Sequence, residues 1–97
     1  MTTEFSQLAR NDLIDIWNFI AEDNLDAADH LRQRFEEVIR LIGQNPEAGT
    51  RRDDLAKGVR TYPVGVYLII YRVKTKQIHI VRILHGMRDI KSHLQGN

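Results

Sequence analysis

The sequence predicts an α+β fold in which an antiparallel helical hairpin packs on one face of a mainly antiparallel sheet. Three observations predict it. Two long amphipathic stripes with helical spacing fill the first half, three β-branched and aromatic runs fill the second, and only a few residues join the stripes. The chain has 97 residues, the length of one domain, so residues 1–97 read as a single unit around a single core. No apolar run approaches the roughly 20 residues that a membrane span requires, and no basic-then-apolar leader opens the chain, so a cytoplasmic location is expected. The absence of cysteine excludes disulfides, thiol nucleophiles and thiolate metal sites.

Residues 2–5 are β-permissive but short. Ser6 is a candidate N-cap, after which Leu13, Ile16, Trp17, Ile20 and Ala21 recur at i, i+3, i+4, i+7 and i+8 as one helical stripe. Asp12, Asp15, Glu22 and Asp23 flank it and read as a solvated acidic face. Asn24 is expected to close this helix in a left-handed conformation. Asp26 is expected to cap the next helix, whose stripe is Ala28, Leu31, Phe35, Val38, Ile39 and Ile42 and which Gly43 and Pro46 end. A connection this short makes the two helices antiparallel neighbours.

Residues 45–58 carry turn chemistry and charge. Strands are expected at 59–64, 66–73 and 77–84, and a short helix at 88–94. Pro63 places the first of these strands at an edge or ends it there. A sheet covered on one face alternates apolar with polar, and these strands do not. Tyr67, Ile69 and Tyr71 point one way, and Leu68 and Ile70 the other. In the last strand Val81 and Ile83 face one side, and Ile80 and Leu84 the other. Two apolar faces and one pair of helices leave three possibilities. A partner occupies the second face, the loop and C-terminal tail cover it, or the protein dimerises there.

Net charge is +1, but residues 1–50 hold 4 basic and 10 acidic side chains, while residues 51–97 hold 10 basic and 3 acidic. The halves either pair with one another or the basic half meets an anionic partner. His30, His79, His85 and His93 form no metal-ligand spacing, and no nucleophile elbow or phosphate loop is present, so no metal and no cofactor are expected. Arg60, Arg72, Arg82 and Arg88 lie on or after strands near tyrosines, a pattern that holds RNA in some proteins and is ordinary strand composition in others.

The segments DIWNFIAEDN (15–24), NPEAGTRRDDLAKGVRTYPVGVYLIIYRV (45–73) and VRILHGMRD (81–89) resemble ParE toxins of the bacterial RelE/ParE toxin–antitoxin superfamily, in order and over nearly the whole chain. The resemblance implies a RelE/ParE-like fold with an edge strand at residues 2–5. It also implies a ParD-type antitoxin, bound as a hetero-oligomer, that lays a C-terminal segment along the toxin. The expected antitoxin groove is the second sheet face: Leu68, Ile70, Ile80 and Leu84, with Arg72 and Arg82 at its rim. ParE-like members inhibit DNA gyrase by binding, and the exposed stretch His85, Arg88, Asp89 and Lys91 is the expected target contact. RelE-like members instead cut mRNA on the ribosome. Where they commonly carry a catalytic Arg this chain has Leu68, and their lysines match Val59 and Thr61. A leucine neither activates a 2′-hydroxyl nor stabilises phosphate charge, so no enzymatic activity is expected. The alternatives are a ribosome-dependent RNase using Arg82, His85 and Arg88, and a non-toxic module that sequesters antitoxin. With translating ribosomes the protein is predicted to leave mRNA intact, and Leu68→Arg alone does not create cleavage. Codon-phased cuts that vanish in His85→Ala or Arg88→Ala would contradict this.

Overall fold

A computed structural model describes residues 2–94. The elements are β1 (Thr2–Phe5), α1 (Gln7–Ala21), α2 (Leu25–Gln44), a 3₁₀ turn (Pro46–Ala48), β2 (Thr50–Arg51), β3 (Val59–Val64), β4 (Tyr67–Lys74), β5 (Gln77–His85) and α3 (Ile90–Leu94). They form one five-stranded sheet in the order β1-β5-β4-β3-β2. β1 runs parallel to β5 and every other pairing is antiparallel. β2 pairs only with Arg60 and Thr61, so Pro63 meets no donor requirement on its outer side.

Capping differs from expectation at one junction. Ser6 caps α1 as expected, its Oγ accepting from Ala9 N at 2.9 Å. Asn24, expected in the left-handed region, has φ −157° and caps α2 instead, accepting from Ala27 N at 3.0 Å. Asp26 therefore sits in the first turn of α2, where its charge faces the positive end of the helix dipole. One asparagine thus starts the second helix immediately after the first ends, which keeps the hairpin tight.

The decisive irregularity is a bulge in β5. Ile70 pairs with Arg82, but Tyr71 pairs with Ile80, so Val81 is skipped. An extra residue reverses the alternation beyond it. Ile78, Ile80 and Ile83 consequently all face the hairpin, whereas Val81 and Leu84 face the other side. The sequence-based assignment of Val81 with Ile83, and of Ile80 with Leu84, is corrected by this one-residue shift.

β1 covers only Gln77 to Ile80 of the β5 edge. Beyond it, α1 supplies the missing partners. Ser6 Oγ donates to Val81 O at 2.6 Å, and Ile83 N donates to Asp12 Oδ2 at 3.0 Å. Arg82 clasps the same carboxylate, with Nε to Oδ2 at 2.8 Å and Nη2 to Oδ1 at 2.9 Å. Asp12 is therefore an anchor rather than part of a solvated acidic face.

Two cores result. The hairpin-side core contains Ala9, Phe35, Val38 and Ile42 of the helices against Val64, Ile69, Tyr71, Ile78, Ile80 and Ile83 of the sheet. The opposite face buries Val59, Ile70 and Leu84 beneath Leu55 and Ala56 of the β2–β3 loop and Ile90 and Leu94 of α3. At the far end of the hairpin-side core the Tyr71 hydroxyl donates to Pro46 O and accepts from Gly49 N, each at 2.8 Å. A side chain at Gly49 would put its Cβ 2.5 Å from that oxygen, so glycine is required there for space.

Asp12→Ala leaves Arg82, whose side chain is 13% exposed, without its carboxylate and leaves Ile83 N without an acceptor. Breaking a largely buried pair from one side is expected to cost about 3–5 kcal/mol. Denaturant unfolding should show the midpoint falling accordingly, and a loss below about 1 kcal/mol would contradict this assignment.

Candidate functional site

The six residues expected to form the antitoxin groove do not share an open surface. Ile70 and Leu84 are sealed inside the chain at 0% and 3% exposure. Ile80 faces the hairpin because of the bulge. Leu68 is half-buried beside the second core. Arg82 is engaged by Asp12, and its Nη1 points to the carbonyl of His93 in α3 at 3.4 Å. Arg72 donates to Lys57 O at 3.2 Å and so ties β4 to the β2–β3 loop. Of the three ways to cover the second face, the structure uses the loop and the C-terminal helix. The physical reason is the short return from β5: a turn at residues 86–89 drops Ile90 and Leu94 onto the sheet.

The expected target residues separate into two groups. His85 and Arg88 line one cleft together with Asp15, Phe19 and Tyr67, about 400 Å³ in volume. His85 Nδ1 accepts from Met87 N at 3.1 Å, and its ring meets Tyr67 edge-on at 5.7 Å. Asp89 instead holds α3, accepting from Ser92 Oγ at 2.7 Å and from Ser92 N at 3.4 Å. Those bonds from Ser92 hold its carboxyl below the usual range, so the cap is intact at neutral pH and is lost as pH falls through the lowered value. Lys91 is exposed on α3 and does not line the cleft.

An open apolar feature lies on the other flank of α1. It is a cleft of about 490 Å³ between α1, α2 and β1, lined by Phe5, Ile14, Trp17, Leu31, Phe35 and Ile39 among others. Its rim is charged. Trp17 Nε1 donates to Asp29 Oδ1 at 3.2 Å, and Arg32 pairs with Glu36 at 2.8 Å. A more open depression continues past Phe5 and Ile39, where the lining turns polar with Thr3, Glu36, Arg40 and Gln44. The stripes that mark the two helices supply most of the cleft lining, which is why they read as buried core. Ile14 was the available signal, a large apolar residue one position off the α1 stripe that stays 58% exposed.

Among the described residues no group of three or more His, Asp or Glu is placed to hold a metal ion. Among the same described residues no helix is long and apolar enough to cross a membrane.

Residues 3–90 match the family described as ParE toxin of type II toxin-antitoxin system, parDE. The chain belongs to the ParE toxin family. It is 30% identical over 84 residues to Toxin ParE3 of Caulobacter vibrioides, a match spanning 86% of this chain and 84% of that protein. A solved structure titled Chromosomal ParDE TA system from P. aeruginosa superposes with a TM-score of 0.74 at 26% identity, covering 88% of this ParE chain and 95% of the other. The RelE/ParE-like arrangement of a helical hairpin on one face of a mainly antiparallel sheet is thus the arrangement of this chain, with β1 as the parallel edge strand.

Because Ile70 is wholly buried inside this ParE chain, Ile70→Asp is expected to unfold the free protein, at a cost above about 4 kcal/mol. Circular dichroism with thermal melting checks this. A folded variant that has lost only partner binding would restore the sheet-face groove.

Proposed function

We propose that this ParE protein is the toxin of a type II pair, acts in the cytoplasm by binding DNA gyrase rather than by catalysis, and is neutralised by a ParD-type antitoxin seated in the hairpin cleft. The observation that carries this reading is the open apolar cleft between α1, α2 and β1, bordered by both signs of charge and continued by a polar-edged depression along α2. Apolar anchors entering such a cleft supply affinity, and the Asp29, Arg32 and Glu36 rim supplies register. Toxin and antitoxin then form a hetero-oligomer.

The RNase alternative is disfavoured on geometry. Arg82 has its guanidinium directed at Asp12 and at the His93 carbonyl, which removes it from phosphate binding. Val59 and Thr61, at the positions of the RelE-like lysines, are buried at 0% and 5%. His85 and Arg88 remain, without a third group to share the charge of a scissile phosphate.

Ile14→Asp puts a charge into the cleft at an exposed position, so the fold is retained while antitoxin binding weakens by about 2 kcal/mol or more, roughly 30-fold. Isothermal titration with the cognate antitoxin and a parallel melting curve measure both. The wild-type protein should inhibit supercoiling by gyrase, and antitoxin should reverse the inhibition. Unchanged affinity in Ile14→Asp would move the antitoxin elsewhere, and normal supercoiling at micromolar toxin would remove gyrase as the target.

A further inference from the structure

We infer that the end of the molecule where α1 stops and β4 begins is a second protein-contact surface, in which Phe19, Val66 and Met87 are apolar contacts around the His85–Arg88 cleft. The inference rests on the toxin reading above and adds Phe19, Val66 and Met87 to the His85 and Arg88 contact that the sequence suggested.

Three large apolar side chains stand in water here: Phe19 at 70% exposure, Val66 at 59% and Met87 at 87%. They come from separate segments, and the fold gathers them. Gly86 N donates to Val66 O at 2.8 Å, which sets the β3–β4 turn beside the turn after β5. Met87 N is held by His85, whose ring packs on Tyr67, and Tyr67 with Phe19 lines the cleft. None of the three contributes to either core. An apolar cluster that does nothing for the fold and stays in contact with water is the usual mark of an interaction site.

Charge decides what fits. Asp15 and Phe19 lie at i and i+4 on α1 and Glu22, its C-cap with helical backbone angles, at i+7, so the phenyl ring has a carboxylate on each side, and Asp23 follows. None of these carboxylates forms an ion pair among the described residues, whereas Asp12, deeper in the cleft, is neutralised by Arg82. Arg88 stands across the cleft, also without an ion pair among the described residues. A nucleic acid would bring its phosphates against three carboxylates. A protein surface suits the arrangement better, with an apolar side chain entering between Phe19 and Tyr67, a lysine or arginine facing Asp15, and a carboxylate facing Arg88. The cleft shares only Ile16 with the hairpin cleft, and α1 stands between them as a ridge. The two surfaces can therefore be altered separately.

The test uses the full-length toxin carrying Phe19→Ser with Met87→Ser, and separately Arg88→Glu. All three positions are exposed, so melting temperature and antitoxin affinity should match the wild type. Growth arrest on induction and inhibition of gyrase supercoiling should each need at least ten times more protein. A double variant as potent as the wild type overturns the inference, as does sedimentation showing a wild-type dimer that the double variant abolishes, which would make the surface a self-contact. If the wild type arrests growth without affecting supercoiling, the gyrase reading fails alone, and loss of arrest in the variants still upholds the surface. A wild type that arrests nothing overturns both.

Discussion

Asp12 and Arg82 meet where the sheet breaks its own alternation, and most of the molecule is arranged around that contact. β1 is too short to cover the β5 edge, and the bulge at Val81 leaves edge groups without strand partners. Ser6 and Asp12 take those groups over, and Arg82 binds both oxygens of the same carboxylate. The contact therefore fixes the position of α1 on the sheet, holds the bulge open and reaches α3 through the His93 carbonyl. It also joins the acidic first half to the basic second half. The other arginine–carboxylate pairs among the described residues lie within α2 or within β2 and the loop that follows it. Most of the charge asymmetry is consequently a property of the surface, not of the fold.

The bulge explains how a small chain manages two apolar sheet faces. By shifting Ile83 toward the hairpin and Val81 toward the other side, it gives each face a contiguous patch that its own chain can cover. The loop and α3 are minimal covers, two apolar side chains from each, and they suffice because the second core is small. The open apolar cleft lies not over the sheet's second face but along the hairpin, between α1 and α2 beside Trp17, Leu31 and Ile39.

Helical periodicity and β-rich runs made the order of elements legible in the sequence, because both follow from local spacing. The β3 strand from Val59 to Val64, the N-cap at Ser6 and the short final helix follow from residue type alone. Three things were not legible. A bulge is a tertiary bargain between β5 and α1, so strict period-2 counting put Ile80 and Leu84 on one face when they lie on opposite faces. Asn24 is a poor residue inside either helix and a good one for closing the first or starting the second, so its role depended on the tightness of the hairpin. The open cleft could not be separated from the core, since an apolar stripe looks the same whether a sheet or a partner covers it. Family resemblance supplied what spacing could not, namely the N-terminal edge strand and the toxin reading; that this strand runs parallel to β5 came from the structure.

α1 emerges as a ridge with an apolar cleft on one flank and a mixed apolar and charged cleft on the other, sharing Ile16. Separate flanks would allow one partner to neutralise the protein without imitating the other. The chain contains one tryptophan, and Trp17 lines the hairpin cleft with its ring nitrogen bonded to Asp29. Its emission therefore reports on that cleft and on nothing else in the protein. Titration with a tryptophan-free C-terminal segment of the cognate antitoxin should shift the emission to the blue and shield it from acrylamide, saturating at one segment per toxin. Complex formation with no change in Trp17 emission or quenching would contradict the hairpin cleft as the antitoxin seat.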